Sequence, residues 1–198
     1  MGAKILAFAG STRTQSFNKK LVRIAADGAR AVGAEVTEID LRDYPMPLYD
    51  GDLEAESGLP GQARALRCVF LEHDGLLIAA PEYNGSISAV LKNSIDWLSR
   101  PHEGEPSLAC FEGKVAGLMA ASPGRLGGLR GLAHVRQILS GIRVLVIPEQ
   151  QAVPSAGQAF DESGALSDET QAAAVAAIGA RVADVATSLP APKKNAAR

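Results

Sequence analysis

The stretch KILAFAGSTRTQSFN, residues 4–18, decides the fold. Its first half is a short apolar run, bounded by polar residues, that reads as a buried β-strand. Its second half turns into a helical pattern, with Phe17, Leu21, Ile24, Gly28 and Val32 at helical spacing and Gly33 as a stop signal. A strand that feeds a helix through a tight polar turn is the opening unit of a βαβ fold. The turn itself has a single glycine, Gly10, followed by Ser11, Thr12, Arg13, Thr14, Gln15, Ser16 and Asn18. It matches neither GxxxxGK[ST] nor GxGxxG, so it is not built for a nucleoside triphosphate or a dinucleotide. Hydroxyls, an amide, one arginine and the free N–H groups of a helix start suit a compact phosphomonoester, such as that of FMN. Ser16 also reads as the helix N-cap, with or without a ligand.

Working outward, the same alternation repeats. AEVTEIDL (34–41) reads as a strand nearer the sheet edge, followed by a loop over 42–59. A helix is predicted over about 60–72, a strand over 75–83, and a helix carrying Ile87, Val90, Leu91, Ile95 and Leu98 on one face. KVAGLMAAS (114–122) is the fourth strand. Leu132, Val135, Ile138 and Leu139 mark the next helix, closed by Gly141, and RVLVIP (143–148) is the fifth strand. A loop over 149–167 leads to a last helix from near Ser167, with Val175, Ile178, Val182, Val185 and Leu189 as its stripe. Residues 1–189 thus read as one α/β domain, with a disordered tail over 190–198. Five strands alternating with helices give a parallel sheet of order 2-1-3-4-5 with helices on both faces, a three-layer sandwich.

The composition fits one such domain. Of 198 residues, 46% are hydrophobic, enough for a substantial core, and the net charge of −2 gives no field that would draw nucleic acid or an acidic membrane. No apolar run is long enough to span a bilayer, and the N-terminus does not read as a signal peptide. Cys68 and Cys110 read as core or near-core thiols of a cytoplasmic protein. Two cysteines and three scattered histidines offer no metal spacing.

In this strand order, ligands bind beyond the carboxyl ends of the strands, where the order reverses. The loops there are GSTRTQSFN, PEYNGS and SPGRLGG, the three least ordinary turns in the chain. In the second, Pro81 ends the third strand and Asn84-Gly85 suits an unusual turn that exposes backbone N–H groups. Ser86 is placed to cap the following helix. Tyr83, Asn84 and Gly85 suit a flavin ring, which needs donors and a flat face, although a plain connecting turn accounts for them as well. In the third, Ser122 ends the fourth strand and Gly124 leads a run of glycines that lets backbone approach a flat ligand or another strand. Arg125 and Arg130 suit a nicotinamide cofactor's phosphate or a neighbouring subunit.

These residues carry a resemblance. GSTRTQSFNKKL, PEYNGSISAVLKNSIDWLSR and SPGRLGGLRGLAHVRQIL are similar, in that order, to the flavin loops of the NADPH-dependent FMN reductase family, whose members include chromate, quinone and azo-dye reductases. The chain departs from the family pattern at Ser88-Ala89-Val90, ahead of LKN. The resemblance implies a flavodoxin-like fold, bound FMN, NADPH or NADH as co-substrate, and a homodimer or homotetramer with the flavin near a subunit contact. It implies FMN phosphate on Ser11, Arg13, Ser16, Phe17 and Asn18, beside Thr12. It implies the ring and ribityl chain near Pro81, Glu82, Tyr83, Asn84, Gly85 and Ser122, with Gly124 adjacent.

The function expected is an FMN-dependent NAD(P)H oxidoreductase that passes hydride from nicotinamide to flavin and on to a small acceptor: a quinone, an azo or nitro compound, chromate or free flavin. No obligate acid–base residue is named, because the flavin carries the chemistry. The alternative is a flavodoxin-like carrier of electrons between proteins, against which the small net charge argues. Tyr44, Tyr49 and Phe160, in the two long loops, are candidate wall residues around the acceptor. Lys92 and Asp96 are spaced for an i,i+4 pair, and Trp97, one residue off its helix's stripe, suits a core flank or, preferably, a subunit contact.

Overall fold

The computed structural model describes residues 2–189; the predicted tail, 190–198, lies outside them. Five strands form one parallel sheet: β1 (Lys4–Ala9), β2 (Glu35–Asp40), β3 (Gly75–Ala79), β6 (Val115–Ala121) and β7 (Leu145–Val153). Two further short strands, β4 (Glu82–Tyr83) and β5 (Ser86–Ile87), pair antiparallel with each other, outside that sheet. The main sheet runs β2-β1-β3-β6-β7, which is the expected order renumbered for the extra hairpin. Around it lie α1 (Phe17–Ala31), α2 (Gly51–Ser57), α3 (Gly61–Leu71), α4 (Ala89–Leu98), α5 (Leu129–Gly141), α6 (Ala156–Ala159) and α7 (Glu169–Ser188).

The three central strands are apolar runs because both of their faces are covered. Their side chains alternate between two cores. Ile5, Ala7, Leu77, Val115 and Met119 face α1 and α7, whereas Leu6, Phe8, Leu76, Ile78 and Leu118 face α3, α4 and α5. β2, at the edge, is half exposed and carries charge, as its sequence indicated. On the first face, α1 and α7 meet backbone to backbone. A Cβ on Gly28 would lie 2.0 Å from the Ala176 oxygen, and one on Gly179 would lie 1.8 Å from the Ala25 oxygen. This contact explains why α1 buries Val22, Ala25, Ala26 and Ala29 with Leu21, and leaves the expected stripe residue Val32 half exposed.

The long loops hold more structure than their composition indicated. Residues 42–59 contain α2, capped by Asp50, whose carboxylate accepts from the Asp52 N–H. β7 continues past Pro148 to Val153 by a register shift between Ala116 and Leu118, so the strand survives a proline at an edge. Residues 156–159 form α6, and Phe160 bridges to Leu166. Trp97 is not a surface residue. It is completely buried under the 42–59 segment with Leu59 and Ala63, and its indole N–H donates to the Pro47 carbonyl at 2.9 Å. Lys92 and Asp96 do pair, at 2.7 Å, on the outer face of α4. Cys110 is buried, but Cys68 is exposed on α3, against the sequence expectation. Among the described residues no helix is long and apolar enough to cross a membrane, and no cluster of metal-ligating side chains occurs.

Candidate functional site

β1 sits between β2 and β3, so the crevice beyond their carboxyl ends opens between the loops that follow β1 and β3. The register puts Ala9 level with Asp40 on one side and Ala79 on the other. The two loops are then tied together. The Ser88 hydroxyl donates to the Gly10 carbonyl at 2.6 Å while accepting from the Leu91 N–H, so Ser88 caps α4 and pins the first loop to it. Ser86, expected in that role, lies in β5 instead. Asn84 and Gly85 both take positive φ, 51° and 80°, and the chain turns straight back as a hairpin.

At this crevice lies an open cleft lined by Ser11, Arg13, Ser16, Phe17, Asn18, Pro81, Glu82, Tyr83, Ala121, Ser122 and Pro123. Nine of the thirteen residues named from the sequence therefore converge. Thr12, Asn84, Gly85 and Gly124 do not line it, and Ala121 and Pro123 were missed. The missed pair flank Ser122 at the end of β6, which the strand order alone places on the rim.

The first loop has the chemistry of an anion site. Ser16 stands at the N-cap of α1 in extended backbone, yet its hydroxyl makes no capping bond, contrary to expectation. Among the described residues it makes no hydrogen bond, although Ser16 is only 5% exposed. No acidic residue occupies the first turn of α1, and the opening N–H groups of a helix have no intrahelical partner. The Ser11 hydroxyl accepts from the Arg13 N–H at 3.3 Å. The side chain of Asn18 is spoken for: its carboxamide donates to the Ala121 carbonyl and accepts from the Ala121 N–H, both at 2.9 Å. Asn18 therefore fastens α1 to the end of β6, and only its backbone N–H remains for an anion.

The loop is braced from outside as well. The Arg42 guanidinium donates to the Thr12 carbonyl through Nε at 2.8 Å, and through a second nitrogen. Asp40 in turn accepts from the Arg42 N–H and from Lys19. Partial burial works against the Asp40 charge, but the bonds from Lys19 and the Arg42 N–H outweigh it and hold the carboxyl below its ordinary range. Neither Arg42 nor Lys19 was legible as part of the site, because the link is a main-chain oxygen on Thr12.

On the far wall, Tyr83 is half exposed, while the Glu82 side chain is only 8% exposed. Its carboxylate points away to α5, accepting from the N–H groups of Arg130 and Gly131 and from the Arg130 guanidinium. Burial disfavours its charge, yet these donors hold its carboxyl below the usual range. Ser122 closes the third side, with its hydroxyl accepting from the Gly124 N–H at 3.2 Å. Of the candidate wall residues, Phe160 stacks on Phe17 with centroids 5.9 Å apart, so it backs the cleft. Tyr44 packs into the core, and Tyr49 lies edge-on to Trp97 at 5.0 Å; neither lines the cleft.

The sequence description of the NADPH-dependent FMN reductases matches residues 3–158, which include every lining residue of the cleft. The chain belongs to the NADPH-dependent FMN reductase family. It is therefore an oxidoreductase that works with FMN and takes NAD(P)H as co-substrate. An NAD(P)H-dependent FMN reductase of Pseudomonas aeruginosa is 38% identical over 84% of this chain and 85% of its own length. An NADPH:quinone oxidoreductase of Arabidopsis thaliana is 36% identical over 84% of this chain and 83% of its own. Among solved structures, the flavoenzyme NAD(P)H:(acceptor) oxidoreductase FerB of Paracoccus denitrificans superposes with a TM-score of 0.78. It covers 94% of this chain and 98% of its own at 24% identity, a likeness of fold.

Proposed function

We propose that the cleft holds FMN with its phosphate in the 11–18 loop and its ring toward the 81–85 hairpin, and that the enzyme passes electrons from NAD(P)H chiefly to a quinone. One observation carries this reading. The uncommitted Ser16 hydroxyl, the Ser11 hydroxyl and the open first turn of α1 share a cleft with the half-exposed ring of Tyr83. A monophosphate with a flat apolar head needs those two ends, and FMN, when bound, supplies the hydride chemistry.

The residues present fit that group. Ser11, Ser16 and the N–H groups of Phe17 and Asn18 surround the anion, and Arg13 adds a charge-assisted hydrogen bond. Tyr83 gives a flat wall, and Phe17, backed by Phe160, gives another. The cleft is open, so donor and acceptor use it in turn. The quinone preference is supported by the relative from Arabidopsis thaliana that is named for that reaction, and by the exposed side chains of Tyr83, Leu126 and Leu129, an apolar surround for a flat acceptor. Azo and nitro compounds, chromate and free flavin rank behind it.

The same half-exposed apolar residues support a homodimer or homotetramer that closes over the cleft. The free, exposed thiol of Cys68 supports a reducing, cytoplasmic setting. The deciding experiment is anaerobic. NADPH should bleach the flavin absorbance of the purified protein, and a water-soluble benzoquinone should restore it within mixing time, with parallel double-reciprocal plots. A flavin that NADPH leaves coloured would overturn the assignment.

A further inference from the structure

The β4–β5 hairpin has two residue pairs and lies outside the main sheet. A hairpin of that size does not hold its shape alone in water. Its support comes from α5, by way of side chains that line no part of the cleft. The Arg130 guanidinium bonds the Glu82 carboxylate and comes within about 4 Å of where a Cβ on Gly85 would sit, so it spans the hairpin from its base to its turn. One turn further along α5, His134 Nδ1 lies 3.0 Å from the Ser86 hydroxyl. Both hairpin strands are thus fastened to one helix face.

We infer that Arg130 and His134 are positioning residues, which act through Glu82 and Ser86 to fix the ring end of the cleft. The inference rests on the flavin reading of that cleft. Its argument is the double use of one carboxylate. The N-cap of α5 is Gly128, which has φ of 96° and no side chain to cap the helix, so the N–H groups of Arg130 and Gly131 take their acceptor from Glu82, far back in the sequence. Hairpin and helix start therefore move as one body. The Glu82 charge is nearly buried while Arg130 is well exposed, so the pair is asymmetric. Loss of the arginine strands a buried carboxylate, whereas loss of the carboxylate frees a solvated guanidinium.

The test uses the full chain as wild type, Arg130→Ala, Arg130→Lys, His134→Ala, Glu82→Gln and the Arg130→Ala/Glu82→Gln pair. Amide hydrogen exchange over residues 82–87 is read on flavin-free protein, and affinity for FMN and for riboflavin is read by quenching of flavin fluorescence. Arg130→Ala should speed exchange in the hairpin and weaken both flavins by the same factor, about tenfold. His134→Ala should give about threefold in the same direction. Arg130→Lys should recover part of the loss, and the double variant should lose less than the two single losses combined. Should Arg130→Ala fail to fold, the lysine and glutamine variants carry the comparison. Wild-type exchange and wild-type affinities in all variants overturn the inference, as does a loosened hairpin with both affinities unchanged. A wild-type chain that takes up neither flavin overturns the cleft reading and the inference with it, while exchange still reports whether the clamp forms.

Discussion

Asn18 grips the main chain of Ala121 with both ends of its carboxamide, donating to the carbonyl and accepting from the N–H at 2.9 Å each. The contact joins the first turn of α1 to the end of β6 across 103 residues of sequence, and Asn18 is only 3% exposed. Asn18→Ala leaves a buried donor and a buried acceptor without partners, at about 1–3 kcal/mol for each such group. Urea unfolding should show a loss of about 2–6 kcal/mol with an unchanged slope. An unaltered midpoint would mean that the clasp does not form.

Arg13 and Arg42 approach the same loop from opposite sides. Arg13 lines the cleft, and Arg42 holds the Thr12 carbonyl from behind. Arg13→Ala should weaken FMN by about ten- to a hundredfold, as expected for a charged hydrogen bond worth about 1.5–3 kcal/mol, and leave riboflavin untouched. Arg42→Ala should show the same selectivity at a smaller size. Isothermal titration of each variant with the two flavins separates the ends of the cleft. Equal losses for both ligands would place Arg13 away from the phosphate.

The sheet order and the three rim loops were legible because they depend on local signals: apolar runs of strand length, turn residues, and helical spacing. Pro81 marked the end of β3, and Asn84-Gly85 marked a tight turn, since both act through their own backbone. What was illegible depends on partners far away in sequence. Nothing near Asn18 announces Ala121, so the amide read as a free phosphate donor. Nothing near Gly128 announces Glu82, so its second part, as the acceptor for the start of α5, was not legible. Ser86 and Ser88 are both fit to cap a helix, and only the hairpin pairing decides between them. Trp97 sits off its helix stripe because a third, small core, under residues 42–59, exists only once the chain has folded.

Gly179 offers a test of the close helix contact. A Cβ there would lie 1.8 Å from the Ala25 carbonyl oxygen, a main-chain atom that cannot rotate away. Gly179→Ala improves helix propensity by about 1 kcal/mol but forces α7 off α1. Overpacking of this kind costs about 1–3 kcal/mol or more, so thermal unfolding should come several degrees lower. Gly141→Ala in α5, where a Cβ meets nothing within 4 Å, should be neutral or stabilising in the same assay. A higher melting temperature for Gly179→Ala would show that the two helices are not in backbone contact.

Cys110 gives the folded state a pH dependence of known sign. Burial pushes its thiol up from the ordinary 9.0 to about 11, against the pull of the Arg67 and Lys114 charges. Between about pH 9 and 11 the folded chain keeps a proton that the unfolded chain has released, so stability falls as pH rises through that window. The contribution is complete below pH 9, and a shift of this size corresponds to about 2–3 kcal/mol. Lys114, whose pKa burial lowers, pulls the opposite way in both proteins compared. Unfolding free energy measured from pH 8 to 11 should therefore drop more steeply in wild type than in Cys110→Ala, by about 2–3 kcal/mol. A thiol reagent offered to the native protein at pH 8 should modify the exposed Cys68 at once, and Cys110 only after unfolding. Parallel pH profiles for the two proteins, or two thiols reacting at one rate, would show that Cys110 is not shielded from solvent.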